Sequence, residues 1–272
     1  MKKIMALLIS ACMLFAFAGC GGKENTASDG SATKSDSETV KEKGKLIIGI
    51  TDYAPMDYEK TKGSGEWIGF DADMAKAFAK SLGVEAEFVV IDWDNKIMEL
   101  KAGSIDCVWN GMTITDEVKN GMSVSNAYCK NTQVVIVPKD KADKYQTVES
   151  VKDLKFAAEA GSAGEKALKA LNYNVTAVTA QADALMEVAA GTSDAAVIDL
   201  LMAGAMIGEG TSYENLTYTV GVAEEEDFGV GFRKGSDLTE KLNEFFKTAY
   251  ADGSMMNTAK TYGVQESIIE QK

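Results

Sequence analysis

The segment NGMTITDEVKN, Asn110 to Asn120, sets small residues and two threonines ahead of two acids at what reads as the start of a helix. Thr115 is a natural N-cap, and the exposed amides of a helix start attract anions. The cation that would complete an anion site is weakly supplied, because Val118 and Lys119 follow and the chain holds a single arginine, Arg233. A second group of a different kind is Asp199, a carboxylate at the end of the apolar run AAVID. Amides and hydroxyls on one side and a carboxylate on the other suit a small zwitterion. The sequence contains no histidine, which removes Ser-His-Asp and Cys-His catalysis and argues against a zinc site. No catalytic residue, metal or cofactor is therefore assigned.

The elements that must position these groups alternate between strand and helix patterns. KLIIGI reads as a buried strand. In DADMAKAFAKSLG, Met74, Phe78 and Leu82 recur at helical spacing, with Asp71 or Asp73 to cap and Gly83 to stop the helix. VEAEFVVI alternates like a strand, NKIMELKAG reads as a short helix and IDCVWN as the next strand. The same alternation continues through LKFAAEAG, SAGEKALKALN, VTAVTA, QADALMEVAAG and DAAVIDL. This is an α/β chain with mostly parallel sheets. MELKAGSIDCVWN from Met98 and MEVAAGTSDAAVI from Met186 nearly repeat as helix, glycine stop, turn and strand. Chance could produce the match, but in an α/β chain it suggests two similarly built lobes. Ligands of open α/β sheets gather beyond the carboxyl ends of strands, so WNGMTIT and VIDLLM would face each other across a cleft.

The N-terminus reads as an export signal. Lys2 and Lys3 precede an apolar stretch, Ile4 to Ala18, that is short for a bilayer crossing. It closes on FAFAGC, which resembles a bacterial lipobox with lipid attached at Cys20; Phe17 departs from the usual aliphatic residue, and an ordinary signal peptide is the alternative. Residues 1–19 are then the lipoprotein signal peptide. Residues 20–43, with Val40 as the one aliphatic side chain, read as a flexible tether. The formal net charge of −13 grows more negative once Lys2 and Lys3 are removed. It argues against nucleic acid and against an electrostatic hold on anionic lipid, leaving the lipid to anchor the chain. Cys107 and Cys129 remain in apolar contexts. Buried free thiols are the default, and a disulfide between them stays open.

YAPM, WIGFDADMAKAFAKSLG, IDWDNKIMELKAGSIDCVWNGMTITDE, YCKNTQVVIVPKD, AGSAGEKAL, AAVIDLLMA and EDFGVGFRKG together resemble the polar amino-acid family, family 3, of extracytoplasmic solute-binding proteins that feed ABC importers. The resemblance runs from about Lys45 to Gly263. It implies a type II, periplasmic-binding-protein-like fold: two Rossmann-like lobes joined by two hinge segments. The implied division is residues 44–137 and 223–272 for the first lobe and 138–222 for the second, with crossings near Val137 to Lys139 and Gly221 to Asp227. It further implies cleft closure on a small ligand, docking on a membrane permease, a monomer, and a place on the outer face of a bacterial cell membrane.

Carried over by motif, Tyr53 and Trp93 resemble the aromatic walls around the ligand, with core packing as the alternative for each. Asn110, Gly111 and Thr113 match the turn that holds a ligand carboxylate, and Ser162 matches the helix start that meets it. Asp199 matches the aspartate that receives an α-ammonium. Trp67 and Trp109 read as packing residues. Two departures stand out: Val118 occupies the place of the arginine that forks onto the carboxylate in relatives, and Glu159 adds an acid where relatives often carry an uncharged or basic side chain. An amino acid is the leading ligand class. An amine or cationic solute without a free carboxylate is the alternative, as is a sensor that presents its ligand to a receptor. An enzyme on the same fold, a dehydratase of cyclic acids or a lytic transglycosylase, fits less well, since the first would need a cationic pocket and the second an appended domain.

Overall fold

The computed structural model describes residues 34–272; the signal peptide, Cys20 and the first part of the expected tether lie outside them. The last part of that tether is a helix instead, α1 (Asp36–Lys43). Ser35 and Glu38 form a reciprocal capping box at its start, and Gly44 closes it in the left-handed conformation. Val40 is fully buried, the Ser37 amide donates to Asp237, and Asp36 pairs with Arg233. Composition alone pointed to a tether because these fixing contacts come from residues about 200 positions away in the chain.

The first sheet is built from β1 (Lys45–Ile50), then, beyond the small antiparallel pair β2 (Tyr58–Glu59) and β3 (Trp67–Ile68), α2 (Phe70–Leu82), β4 (Glu85–Val90), α3 (Lys96–Ala102) and β5 (Cys107–Thr113). After α4 (Asp116–Gly121) come the short strands β6 (Ser123–Val124) and β7 (Cys129–Asn131). The second sheet takes β8 (Gln133–Pro138), β9 (Lys155–Glu159), α5 (Ala163–Ala170), β10 (Asn174–Val178), α6 (Gln181–Ala190), β11 (Ala195–Asp199), α7 (Leu200–Met206) and β12 (Leu216–Gly221). The chain returns through β13 (Glu226–Phe232) and ends in α8 (Leu238–Ala251) and α9 (Ser254–Thr261).

The strand orders are β4-β1-β5-β13-β6, with β7 also on β13, and β10-β9-β11-β8-β12. In each sheet a parallel trio, β4-β1-β5 or β10-β9-β11, is followed by an antiparallel strand, β13 or β8. The near-repeat of the sequence is α3–β5 in one sheet and α6–β11 in the other. Both repeats stop at a left-handed glycine, Gly103 (φ 78°) and Gly191 (φ 74°). Helices cover both faces of each sheet, which explains the near-continuous apolar runs. Along β9 and β11, Phe156, Ala158, Ala195 and Val197 join Leu168 of α5 in one cluster. The alternate residues Ala157, Ala196 and Ile198 pack with Leu185 of α6 and Met202 of α7. Cys107 and Cys129 are buried free thiols.

Two expectations require correction. The first crossing falls at Thr132, not near Val137 to Lys139, because all of β8 pairs within the second sheet, antiparallel to β11 and β12. A wholly apolar run does not announce which of two sheets it joins. The return runs through residues 222–225, and the two crossings lie side by side: the Val222 amide donates to the Gln133 carbonyl at 3.0 Å. The second correction is the cap of α2. Gly69, not Asp71 or Asp73, stands there at φ 129°. The amides of Phe70, Asp71 and Ala72 are taken by the carbonyls of Pro55 and Met56. Backbone acceptors thus replace a side-chain cap, and Asp71 is turned into the protein interior, 0 % exposed.

Candidate ligand-binding cleft

The carboxyl ends of β5 and β11 and the start of α5 bound a narrow cleft between the two sheets, with a cavity volume of about 30 Å³. The lobes touch across it. The Lys96 ammonium donates to the Gly161 carbonyl at 3.2 Å, Lys166 pairs with Glu117, and Gly161 lies against Asp94. Of the expected site residues, Trp93, Asn110, Gly111, Thr113, Glu159, Ser162 and Asp199 all line this cleft. Val118 lines it too, while packing with Ile91, Leu100 and Met122 behind.

On the first-sheet side, much of the hydrogen-bonding capacity is committed inward. The Asn110 side chain accepts from the Thr51 amide and hydroxyl at 3.0 and 2.9 Å, and it donates to the Thr51 carbonyl and to Asp57 at 3.0 and 2.7 Å. The Gly111 amide donates to Asp71 at 2.7 Å, and the Tyr128 hydroxyl shares that carboxylate. Thr113 donates its hydroxyl to Glu226 at 3.1 Å. Tyr53 stands behind the cleft, 1 % exposed and not among its lining, with its ring against Gly111. The approach is so close that a Cβ on Gly111 would fall 2.5 Å from Tyr53 Cε1.

On the second-sheet side, Asp199 is 3 % exposed and held by three side-chain amides. Asn131 and Gln133 donate to Oδ1 and Gln181 donates to Oδ2, while the Asp199 amide donates back to Gln181 at 2.8 Å. Glu226 accepts from Gln133 at 2.9 Å. Burial first, and then the charge of Glu226, pushes the Asp199 carboxyl up to about 7. Glu159, 2 % exposed, is pushed up to about 8, again by burial first; its Oε1 is buried without a hydrogen-bond partner among the described residues. Burial also raises Glu226. Ser162 caps α5, its hydroxyl oxygen accepting from the Glu165 amide at 3.0 Å.

Residues that the motifs did not single out complete the cleft. Gln133 and Gln181 are buried and orient Asp199, and Gln133 also donates to Glu226 of the returning strand, which lies outside the lining. Lys96 is 5 % exposed; its ammonium donates to the Trp93 carbonyl at 2.9 Å and lies 4.7 Å from the centre of the Trp93 ring. Burial and then Lys166 lower it to about 8. A signal for Lys96 exists in the sequence: it stands four residues before buried Leu100, on the core side of α3. Among the described residues no lysine or arginine forms an ion pair with Asp199, Glu159 or Glu226.

Two α/β lobes with a cleft at their strand ends, joined by paired crossing segments, define a type II periplasmic-binding-protein-like molecule. Residues 46–265 match the family model of bacterial extracellular solute-binding proteins, family 3, and the chain belongs to that family. It is 30 % identical over 270 residues to the arginine-binding extracellular protein ArtP of Bacillus subtilis (strain 168), covering 96 % of this chain and 98 % of that one. It is 31 % identical over 262 residues to the ABC transporter glutamine-binding protein GlnH of the same organism, covering 93 % and 94 %. Among solved structures, it is similar to the ancestral amino acid-binding protein AncCDT-1, a precursor of cyclohexadienyl dehydratase, at 31 % identity and a TM-score of 0.76, covering 84 % of this chain and 99 % of that one. A substrate-binding protein of a Streptococcus pneumoniae ABC uptake transporter with bound histidine gives 27 % identity and a TM-score of 0.78, over 87 % and 99 %.

Proposed function

We propose that this chain captures a polar amino acid between its lobes and delivers it to the permease of an ABC importer, with no chemical turnover. The observation that carries the reading is Asp199: a carboxylate buried in the cleft, oriented by three amides, with no lysine or arginine ion-paired to it among the described residues. An α-ammonium supplies the missing charge. The amino-acid ligands named for ArtP, GlnH and the histidine-bound relative support the class. The protein acts as a monomer held to the outer face of a bacterial membrane by lipid on Cys20, a site that rests on the FAFAGC motif.

Two features favour a second reading, an amine without a carboxylate: Val118 gives the cleft an apolar wall and Glu159 adds a buried acid whose Oε1 has no hydrogen-bond partner among the described residues. Mass spectrometry of small molecules released by denaturing the purified protein separates the two. Recovery of an amino acid supports the first; recovery of an amine alone supports the second. Acyl labelling that persists in Cys20→Ala would remove the anchor assignment.

A further inference from the structure

The charge inventory of the cleft points to one residue for a task that the Asn110 and Thr113 side chains and the Gly111 amide, committed to other partners, leave open. Resting on the amino-acid reading above, we propose that Lys96 is the residue that receives the ligand carboxylate, at the seam where the two lobes meet. The Asn110 amide, the Gly111 N–H and the Thr113 hydroxyl already donate to Thr51 and Asp57, to Asp71, and to Glu226. Val118 offers no donor from its side chain. Two cations line the cleft, Lys96 and Lys166. Lys166 is paired with Glu117 and its side chain is 41 % exposed, so it belongs to the rim.

Lys96 is buried and, among the described residues, forms no ion pair. An ammonium carries three donors, and the Trp93 and Gly161 carbonyls take two of them. The third has no acceptor among the described residues. Gly161, whose carbonyl Lys96 holds, leads directly into Ser162, which lines the same cleft and starts α5. The groups acting on Lys96 from the surrounding elements are Lys166, which lowers its proton affinity, and Glu117, Glu159 and Asp94, which raise it. Burial outweighs those acids. An anion bound directly to the ammonium would restore its affinity for the proton, so a carboxylate is the partner this environment lacks. The contact also couples capture to closure, because the same ammonium holds the carbonyl of the opposite lobe.

The test uses the full chain purified in detergent and calorimetric titration at pH 7. The probes are L-arginine, L-glutamine, L-histidine and L-cystine, each beside its decarboxylated counterpart: agmatine, 4-aminobutanamide, histamine and cystamine. Loss of a charge-assisted hydrogen bond corresponds to about 10- to 100-fold in affinity. Lys96→Met should weaken the amino acid that the wild type binds by that factor and its decarboxylated counterpart by less than about threefold. Lys96→Arg should keep the preference for the carboxylated compound. Equal weakening of both counterparts would make Lys96 a strut between the lobes and overturn the assignment, as would unchanged binding. If Lys96→Met does not fold, the wild type alone decides: from pH 7 to 9 the affinity ratio of amino acid to counterpart should fall several-fold, and a flat ratio overturns the proposal. A wild type that binds only decarboxylated compounds, or none of the probes, overturns the amino-acid reading and this assignment together.

Discussion

At the scale of single residues, Asp199 is the group whose loss has the clearest consequence. Asp199→Ala leaves the ligand ammonium without its countercharge and strands the amides of Asn131, Gln133 and Gln181. Breaking a buried pair of this kind costs about 3–5 kcal/mol, a loss of about 100- to 5,000-fold in affinity by calorimetry. Asp199→Asn should be nearly as damaging. Three amide donors converge on the two oxygens, and an asparagine must set its own NH₂ against at least one of them. Gln181 has no free alternative orientation, since its carbonyl oxygen accepts from the residue 199 amide. Retention of wild-type affinity within about threefold in either variant would place the ammonium elsewhere. Asp199 was legible because it ends an apolar strand pattern, whereas Glu159 and Ser162 came from the resemblance of AGSAG and the strand before it to the family. Gln133 and Gln181 were not legible, because an amide at the first position of a strand or helix looks solvated until the fold closes over it. Glu226 was hidden for a related reason: it lies in the acidic run AEEED, and only the register of β13 against β7 turns that one acid toward Asn131.

At the scale of elements, the repeated helix–glycine–strand unit makes a matched pair of predictions. Gly103 and Gly191 both sit at φ near 75°, and a Cβ at either would meet nothing within 4 Å. Gly103→Ala and Gly191→Ala should therefore each cost only the backbone term, about 1–2 kcal/mol, and should add in the double variant because the sites share no contacts. Gly111→Ala has the same sign of φ, 54°, but collides with the Tyr53 ring and with Phe228. It should cost more than either and should also impair binding, since Gly111 lines the cleft; denaturant unfolding and titration read the two effects separately. The helix stops were visible in the sequence as Ala-Gly after an amphipathic run. α1 was not, and its contribution is measurable. Removing residues 34–43 exposes the site that buries Val40, worth about 1.5–3 kcal/mol for a valine, and takes Asp36 from Arg233, whose guanidinium also donates to the Ile105 carbonyl. At this chain length that corresponds to a drop in Tm of about 3–10 °C, with ligand affinity retained because α1 contributes nothing to the cleft. A chain beginning at Lys34 should show no loss.

At the scale of the whole molecule, the buried carboxyls make folding and ligand capture respond to pH in opposite directions. Burial pushes Asp199 and Asp71 up to about 7 and Glu159 up to about 8, and it also raises Asp57 and Glu226. An unfolded chain has already lost those protons by about pH 5. Between pH 5 and 8 the folded state thus holds more protons than the unfolded one, and stability of the free protein rises as pH falls through that window. Groups with lowered values, such as Glu117 and Asp237, act only below the ordinary carboxylate range, and Lys96 acts at about 8 and above. The net negative charge of the chain adds in the same direction, because protonation relieves self-repulsion. Capture runs the other way. An ammonium ligand requires Asp199 ionised, so below about pH 7 binding must expel a proton and affinity should fall, by up to about tenfold per pH unit for each proton displaced. Thermal melts from pH 8 to 5.5 should show the ligand-free Tm rising while the ligand-induced increment shrinks. Titrations in buffers of different ionisation enthalpy should show proton release on binding at pH 6 that diminishes by pH 8.5. A ligand-free Tm that falls over the same range would mean these acids are charged in the folded cleft, and the electrostatic demand for an ammonium at Asp199 would have to be met by a cation elsewhere in the protein.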